Sequence, residues 1–243
     1  MTRPARLLVL KLSRLPSGRP EVFASIQGEG PTRGLPSVFV RLALCNLRCV
    51  WCDTKYTWDW EHYDRRAEIV ELEPDAVAKD VQAFGHRNVV ITGGEPLLQQ
   101  RALSPLVSAL KKAGRRIEVE TNGTLCPVPA LAETVDQWNV SPKLANSGNS
   151  VRLRTVASAV TLLAAQPNAY FKFVVSYPSE IEEVQQIVVD RGIQVERVIV
   201  MPEAEDIVTL AERARSLVPA CRAAGFGFST RLQVTLWGGT RGR

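Results

Sequence analysis

Three of the five cysteines, Cys45, Cys49 and Cys52, fall within eight residues in the run CNLRCVWC, spaced C-x3-C-x2-C. A loop of that length can fold three thiolates around one centre, and thiolates are soft ligands suited to iron–sulfur clusters or zinc. Structural zinc normally takes four protein ligands. The imidazole nearest in sequence is His62, ten residues beyond Cys52 in a stretch without zinc-finger spacing. On a 4Fe–4S cluster, three thiolates would leave one iron without a protein ligand, a chemically useful vacancy. Three buried structural cysteines, or a zinc site, are the plainer readings of the same run. Cys126, before a proline in a loop, and Cys221, at the end of a helix, read as structural. An odd cysteine count without an export signal argues against a disulfide framework.

Two further motifs, TGGEP (Thr92–Pro96) and ETNGT (Glu120–Thr124), could share that centre. Glycine lets backbone approach a ligand closely, but Gly-Gly before Glu-Pro is also an ordinary turn. Position separates the two readings. Hydrophobic patterning predicts strands at Ser37–Leu44, Asn88–Ile91, Arg116–Glu120, Gln137–Val140, Tyr170–Val175 and Val195–Val200, and a last one at Leu232–Leu236. Helices are predicted at Pro74–Phe84, Leu97–Ala113, Pro129–Glu133, Val156–Ala165, Ser179–Asp190 and Glu205–Ala223. This alternation implies an α/β fold: a parallel sheet with outer helices, about six strands forming an open or partial barrel. In such folds reactive groups gather where strand C-termini meet the following loops. The cysteine run, TGGEP and ETNGT each follow one of the first three predicted strands.

The 243-residue chain is 45% hydrophobic and 23% charged, which excludes a disordered, collagen-like or disulfide-stapled protein. No apolar run approaches the roughly 20 residues that span a bilayer. In the opening MTRPARLLVLKLSRLPSG the apolar run LLVL is short, and Lys11 and Arg14 break up the residues after it, unlike a signal peptide. A cytoplasmic protein is expected. Without repeats or long linkers, one domain over 1–243 is expected. The net charge of +5 suits an anionic small molecule and does not establish nucleic-acid binding.

With Trp51 just before its third cysteine, the run resembles the signature of the radical S-adenosylmethionine (SAM) superfamily, and TGGEP resembles that superfamily's GGE motif. The longer stretch FASIQGEGPTRGLPSVFVRLALCNLRCVWCDTKYTW resembles the N-terminal region of the 7-carboxy-7-deazaguanine synthases. ETNGT, SPKL (Ser141–Leu144), FKFVV (Phe171–Val175) and LQVTLWGGTRGR continue the likeness, in order, from about Glu21 to the end. The resemblance implies a partial (βα)6 TIM-like barrel of the radical SAM type. It also implies a substrate loop at about 21–36 and a strand and tail at about 224–243. The implied reaction converts 6-carboxy-5,6,7,8-tetrahydropterin into 7-carboxy-7-deazaguanine and ammonia, a lyase step toward the 7-deazaguanine (queuosine) modification of tRNA. The open iron would bind SAM, the resulting 5′-deoxyadenosyl radical would take hydrogen from substrate C6, and Mg²⁺ would assist the rearrangement. A flavodoxin or ferredoxin would supply the electron. Relatives are homodimers, and no nucleic-acid or membrane partner is implied.

Carried over residue by residue, the resemblance gives Cys45, Cys49 and Cys52 to the 4Fe–4S cluster and Thr54 to Mg²⁺, whose sparse shell substrate oxygens would complete. Trp51 and Asp53 would lie near the adenosyl moiety. Gly94, Glu95, the segment Ser141, Pro142 and Lys143, and the late loop Met201, Pro202, Glu203 and Ala204 would bind SAM. Ile26, Gln27, Gly28 and Glu29 match the substrate loop. Gln27 can donate to and accept from a pterin edge, although Gln27 and Glu29 read equally well as turn residues. Arg41, inside SVFVRLAL, is either an outward strand residue or a carboxylate clamp, and the resemblance assigns it to the substrate carboxylate. Thr92 and Arg243 would be further substrate contacts. Gln233 stands where many relatives carry His, a departure at a position expected to help handle substrate.

Two other functions share some of these features. A glycyl-radical activase would keep the cysteine spacing and TGGEP but has no use for SIQGEG or Arg41. A zinc or iron–sulfur module binding RNA should carry a basic patch with interleaved aromatics. The aromatics Trp58, Trp60 and Tyr63 are instead mixed with Asp59, Glu61 and Asp64, which disfavours phosphate binding.

Overall fold

Runs rich in β-branched residues become strands of a single sheet in the computed structural model, which describes residues 8–243. The strands are β1 (Leu10–Ser13), β2 (Val22–Ile26), β3 (Pro36–Leu42), β4 (Ile69–Leu72), β5 (Asn88–Gly93), β6 (Arg116–Thr121), β7 (Gln137–Val140), β8 (Ala169–Val175), β9 (Val198–Pro202) and β10 (Gly227–Phe228). Their spatial order is β10-β9-β8-β7-β6-β5-β3-β1-β4, with β2 also paired to β3. From β3 to β10 every pairing is parallel. β1, β2 and β4 add an antiparallel flank. The order runs from one edge to the other without closing, which gives a partial barrel of the expected kind.

Helices fill the crossovers: α1 (Arg65–Glu68), α2 (Pro74–Gln82), α3 (Gln100–Lys112), α4 (Pro129–Ala132), α5 (Val151–Arg154), α6 (Ala157–Ala164), α7 (Ile181–Arg191), α8 (Ile207–Ala223) and α9 (Leu232–Trp237). α2 starts on Pro74, whose missing N–H costs nothing in a first turn. α3 buries Ala102, Leu103, Leu106, Val107 and Leu110, the i, i+3, i+4 stripe that faces a sheet. Asp206 caps α8 by accepting from the N–H groups of Val208 and Thr209. No helix among the described residues is long and apolar enough to cross a membrane.

Strand alternation divides the sheet chemically. Val38, Val40, Ile91, Val119, Trp138, Phe171 and Val200 face the helices in one continuous core. Arg41, Thr92, Asn139 and Lys172 line the cavity on the other face. Register keeps them together, since Arg41 lies beside Thr92 and Glu120 beside Asn139. Below them Phe23 stacks on Phe39, ring centroids 5.3 Å apart, and both line the same cavity as an apolar floor.

The structure departs from the sequence expectation in several places. Leu232–Leu236 is not a last strand. It lies in helix α9, because β10 already fills the place beside β9 and only Val234 of the segment is buried. The flank strands β1, β2 and β4 were not anticipated, and β2 occupies the start of the expected substrate loop. The stretch judged against a signal peptide falls partly in residues 1–7, outside the described residues, and continues into β1. β3 stops at Leu42 rather than Leu44, which has a left-handed φ of 75°. Val195–Arg197 is a single 3-10 turn before β9.

Trp138 on β7 is fully buried. Trp138→Ala should lower unfolding free energy by about 3–5 kcal/mol, the usual cost of removing a large core side chain, checked by denaturant titration.

Candidate active site

The C-terminal ends of the parallel strands open onto a cavity of about 230 Å³ that collects most of the residues singled out from the sequence. Leu44 turns the chain out of β3 into the cysteine loop, its N–H bonded to the Thr57 carbonyl at 2.7 Å. The double glycine of TGGEP meets this turn directly. Side chains at Gly93 or Gly94 would collide with the backbone of Leu42 and Leu44, respectively. Gly94 and Glu95 instead bond the Leu42 and Leu44 carbonyls at 2.9 and 2.7 Å. Close backbone approach is indeed what the glycines provide, and part of it is approach to the cysteine loop.

Cys45, Cys49 and Cys52 are free thiols lining the cavity. Each sulfur faces an N–H donor: Leu47 N to Cys45 at 3.4 Å, Asn149 Nδ2 to Cys49 at 3.3 Å and Trp58 Nε1 to Cys52 at 3.4 Å. Burial pushes the Cys45 thiol up to about 12 and raises Cys49, the latter opposed by Lys143 and Asn149. The thiolate state therefore needs the compensating charge of a metal centre. Among the described residues, no three His, Cys, Asp or Glu side chains converge on a point that one ion could occupy. Three thiols around one cavity, each with an N–H donor, are the donor set that an iron–sulfur cluster takes.

Trp51, Asp53, Gly94, Ser141, Lys143, Met201 and Glu203 line the same cavity. Lys143 bonds the Ser141 hydroxyl at 2.8 Å and lies 5.5 Å from the Trp51 ring centroid. Glu95, Pro142, Pro202 and Ala204 do not line it. Glu95 is fully buried behind the wall, where it accepts from Leu97 N (3.0 Å), Thr121 Oγ1 (2.8 Å) and Asn122 N (2.7 Å). Burial raises its pKa against these bonds. Its role here is to tie the loop after β5 to the loop after β6. The Ala204 carbonyl accepts from Arg231 Nη1 at 2.5 Å.

Ile26, Gln27, Gly28, Glu29, Arg41, Thr54, Thr92 and Arg243 line the cavity as well. Gln27 Nε2 reaches Glu120 at 3.3 Å, and Thr92 Oγ1 donates to the other Glu120 oxygen at 2.7 Å. Arg41 turns into the cavity, settling the strand-face ambiguity, and gives its Nε to Glu21 at 2.9 Å. Burial alone would lower the Arg41 pKa, but Tyr56, Glu21, Asp53 and Glu120 raise it. Thr54 Oγ1 lies 3.6 Å from Cys52 Sγ. Glu29 pairs with Lys172, with Arg231 Nε at 3.2 Å and with Gln233 Nε2 at 2.5 Å. Arg231 also pairs with Asp53.

Sequence reasoning left Asn139, Lys172 and Arg231 without a role and singled out Glu120 only as the first residue of ETNGT. A polar or charged residue on the alternate positions of a central strand, as in RIEVE, QWNV and FKFVV, is the signal that marks Glu120, Asn139 and Lys172. Arg231 carries no such mark, because nothing in its own segment announces that the chain folds back over the cavity.

A partial parallel barrel with a three-thiol site at its C-terminal mouth defines a radical SAM protein, and residues 41–156 match the Radical SAM superfamily model. The fold is similar to the crystal structure of QueE from Escherichia coli, with TM-score 0.67 and 24% identity over 92% of this chain and 94% of that one. The chain is 44% identical to the 7-carboxy-7-deazaguanine synthase of Pyrobaculum aerophilum over 92% of its length and 96% of the relative. It is 39% identical to that of Hyperthermus butylicus over 88% and 90%. The chain belongs to the 7-carboxy-7-deazaguanine synthase family, and is a radical SAM enzyme that uses a 4Fe–4S cluster, SAM and a reductant. The glycyl-radical activase and RNA-binding readings are thereby set aside.

Burial opposes the Glu29 charge, but Lys172 and Arg231 bring its pKa from the ordinary 4.5 down to about 2. A depressed carboxylate pKa adds stability that is complete above the ordinary value and disappears as pH falls through the depressed one. The stability advantage of the wild type over Glu29→Gln should therefore hold above pH 4.5 and shrink between pH 4.5 and about 2. Chemical unfolding at stepped pH measures it.

Proposed function

We propose that the enzyme converts 6-carboxy-5,6,7,8-tetrahydropterin into 7-carboxy-7-deazaguanine with release of ammonia, in 7-deazaguanine (queuosine) biosynthesis. One juxtaposition carries the reading: the cysteine trio shares a cavity with a carboxylate-binding arginine and with an amide–carboxylate pair suited to a pterin edge. When bound, the cluster and SAM supply the 5′-deoxyadenosyl radical that starts the reaction. The chain's own residues bind, aim and exclude water.

In this reading Arg41 receives the substrate carboxylate, since a guanidinium can present two parallel N–H groups to it. Gln27 and Thr92 hold Glu120, which takes N–H groups of the pterin ring. A carboxylate has about four acceptor places, and three protein donors already engage Glu29. Glu29 thus offers the substrate one place and chiefly fixes Lys172 and Arg231. Ile26 and Gly28 shape the same wall, and Arg243 reaches it from the tail. Trp51, Asp53, Gly94, Ser141, Lys143, Met201 and Glu203 form the part assigned to SAM, which Glu95 and Ala204 brace through their hydrogen bonds, and Pro142 and Pro202 adjoin it in sequence.

For Mg²⁺, Thr54 offers a hydroxyl on the cavity wall beside Cys52, and no second protein ligand is assigned. A hard cation with one protein oxygen would take the rest of its shell from substrate and water. The electron comes from a carrier such as flavodoxin or ferredoxin. The enzyme is read as a cytoplasmic homodimer with no nucleic-acid or membrane partner, in keeping with the family resemblance and with free thiols at all five cysteines.

The test is an anaerobic assay of the reconstituted enzyme with the tetrahydropterin, with product identification by mass spectrometry. Absence of 7-carboxy-7-deazaguanine, with SAM cleavage intact, would overturn the reading. Cys49→Ala should abolish 5′-deoxyadenosine formation. Arg41→Ala should keep SAM binding and raise the substrate KM about 10- to 100-fold, the weight of a charge-assisted hydrogen-bond pair.

A further inference from the structure

Behind Arg41 lies Glu21, whose side chain is 1% exposed. Its Oε1 accepts from Arg41 Nε and from the Tyr56 hydroxyl, both at 2.9 Å. Its Oε2 accepts from Arg241 Nε at 3.1 Å. The Arg241 guanidinium lies against Tyr56, 3.5 Å from the ring centroid. It also donates to Glu68 at 2.9 Å and to the Arg14 carbonyl. One buried carboxylate is therefore shared between two arginines, one on each oxygen. Arg41 is held only through Nε, and among the described residues its Nη atoms have no protein acceptor.

We propose that Arg241 is a positioning residue for substrate binding: by occupying the second oxygen of Glu21, it keeps the Nη edge of Arg41 turned toward the cavity. This rests on the reading that Arg41 receives the substrate carboxylate. A buried carboxylate oxygen left without a donor is costly. Guanidinium and carboxylate favour a two-bond fork, and the Nη atoms belong to the same group that already gives Nε to Glu21. Without Arg241, Glu21 takes Arg41 by two bonds and withdraws an Nη from the cavity. The charge balance shifts the same way. Arg41, Arg241, Glu21 and Glu68 balance two against two, and loss of Arg241 leaves Arg41 facing an excess of carboxylate that weakens its attraction for an incoming anion.

The probe is the product 7-carboxy-7-deazaguanine, titrated calorimetrically into the anaerobically reconstituted enzyme, which reads binding without turnover. Arg241→Ala should weaken binding about tenfold or more, in line with losing one charge-assisted bond, while SAM affinity stays unchanged. Glu68→Ala removes another Arg241 contact without touching Glu21 and should change binding less than about threefold, because the bond from Arg241 to Glu21 remains. Adding Glu21→Gln to Arg241→Ala should restore binding, because a carboxamide has one acceptor oxygen and cannot fork onto Arg41. Arg241→Met keeps bulk over Tyr56 without donors and replaces Arg241→Ala should that variant fold poorly.

Undiminished binding in the Arg241 variant overturns the proposal. So does a double variant weaker than the single, or a Glu68→Ala loss equal to that of Arg241→Ala, because either marks simple loosening of the tail. If the wild type itself fails to bind the product, the functional reading falls, and this inference with it.

Discussion

Buried charge is the constraint that shapes this molecule. An ionised side chain taken out of water is strongly unfavourable unless it is paired and hydrogen-bonded. Here Glu21, Glu95 and Glu118 are fully buried around one cavity, and Glu29 is nearly so. Each is satisfied by donors from segments far apart in the chain. Glu95 joins the loops after β5 and β6. Glu29 joins the turn after β2 to β8 and α9. Glu118 collects Arg116, Thr32 and Asn139. Satisfying the charges and assembling the site are the same event, because no loop can supply all its own partners.

The same accounting sets the character of the cavity. Lys172 and Arg231 are committed to Glu29 and Asp53, so they brace the wall instead of meeting a ligand as bare charges. Pairing keeps Lys172 protonated despite burial, since Glu29 and Glu120 raise its pKa against desolvation. The thiols follow the opposite logic. Cys45 and Cys49 have donors but little compensating charge, and burial favours their neutral forms. Their side of the cavity is poised for a cationic metal centre, and the other for an anionic substrate.

Sequence carried the central strands well because a parallel strand covered by helices must be apolar on its outer face, as in NVVI and AYFKFVV. The cysteine spacing and the double glycine are likewise local, and they pointed to the right loops. The flank was hidden for a physical reason. β1 and β4 are four-residue strands whose pairing partners lie tens of residues away, so neither carries a long pattern of its own. Lys172 stands out in the apolar run FKFVV and Glu120 alternates with Ile117 and Val119 in RIEVE, but their shared face depends on register between strands, which no single segment encodes.

The tail shows why that failure falls where it does. LQVTLW alternates well enough to suggest a strand, and a strand there would have extended the sheet at β10. Such an edge strand would carry Arg231 and Gln233 out beyond β10, away from Glu29, and leave the polar inner face open at its rim. As a helix, the segment turns back over the cavity. The Leu232 N–H bonds the Gly28 carbonyl at 3.0 Å, and Gln233 packs against Gly28, where any Cβ would collide with its side chain. The gain is tertiary: Glu29 obtains two of its three donors from this turn. Local alternation lost to the pairing of a buried carboxylate, and conflicts of that kind concentrate where function needs charge inside a fold.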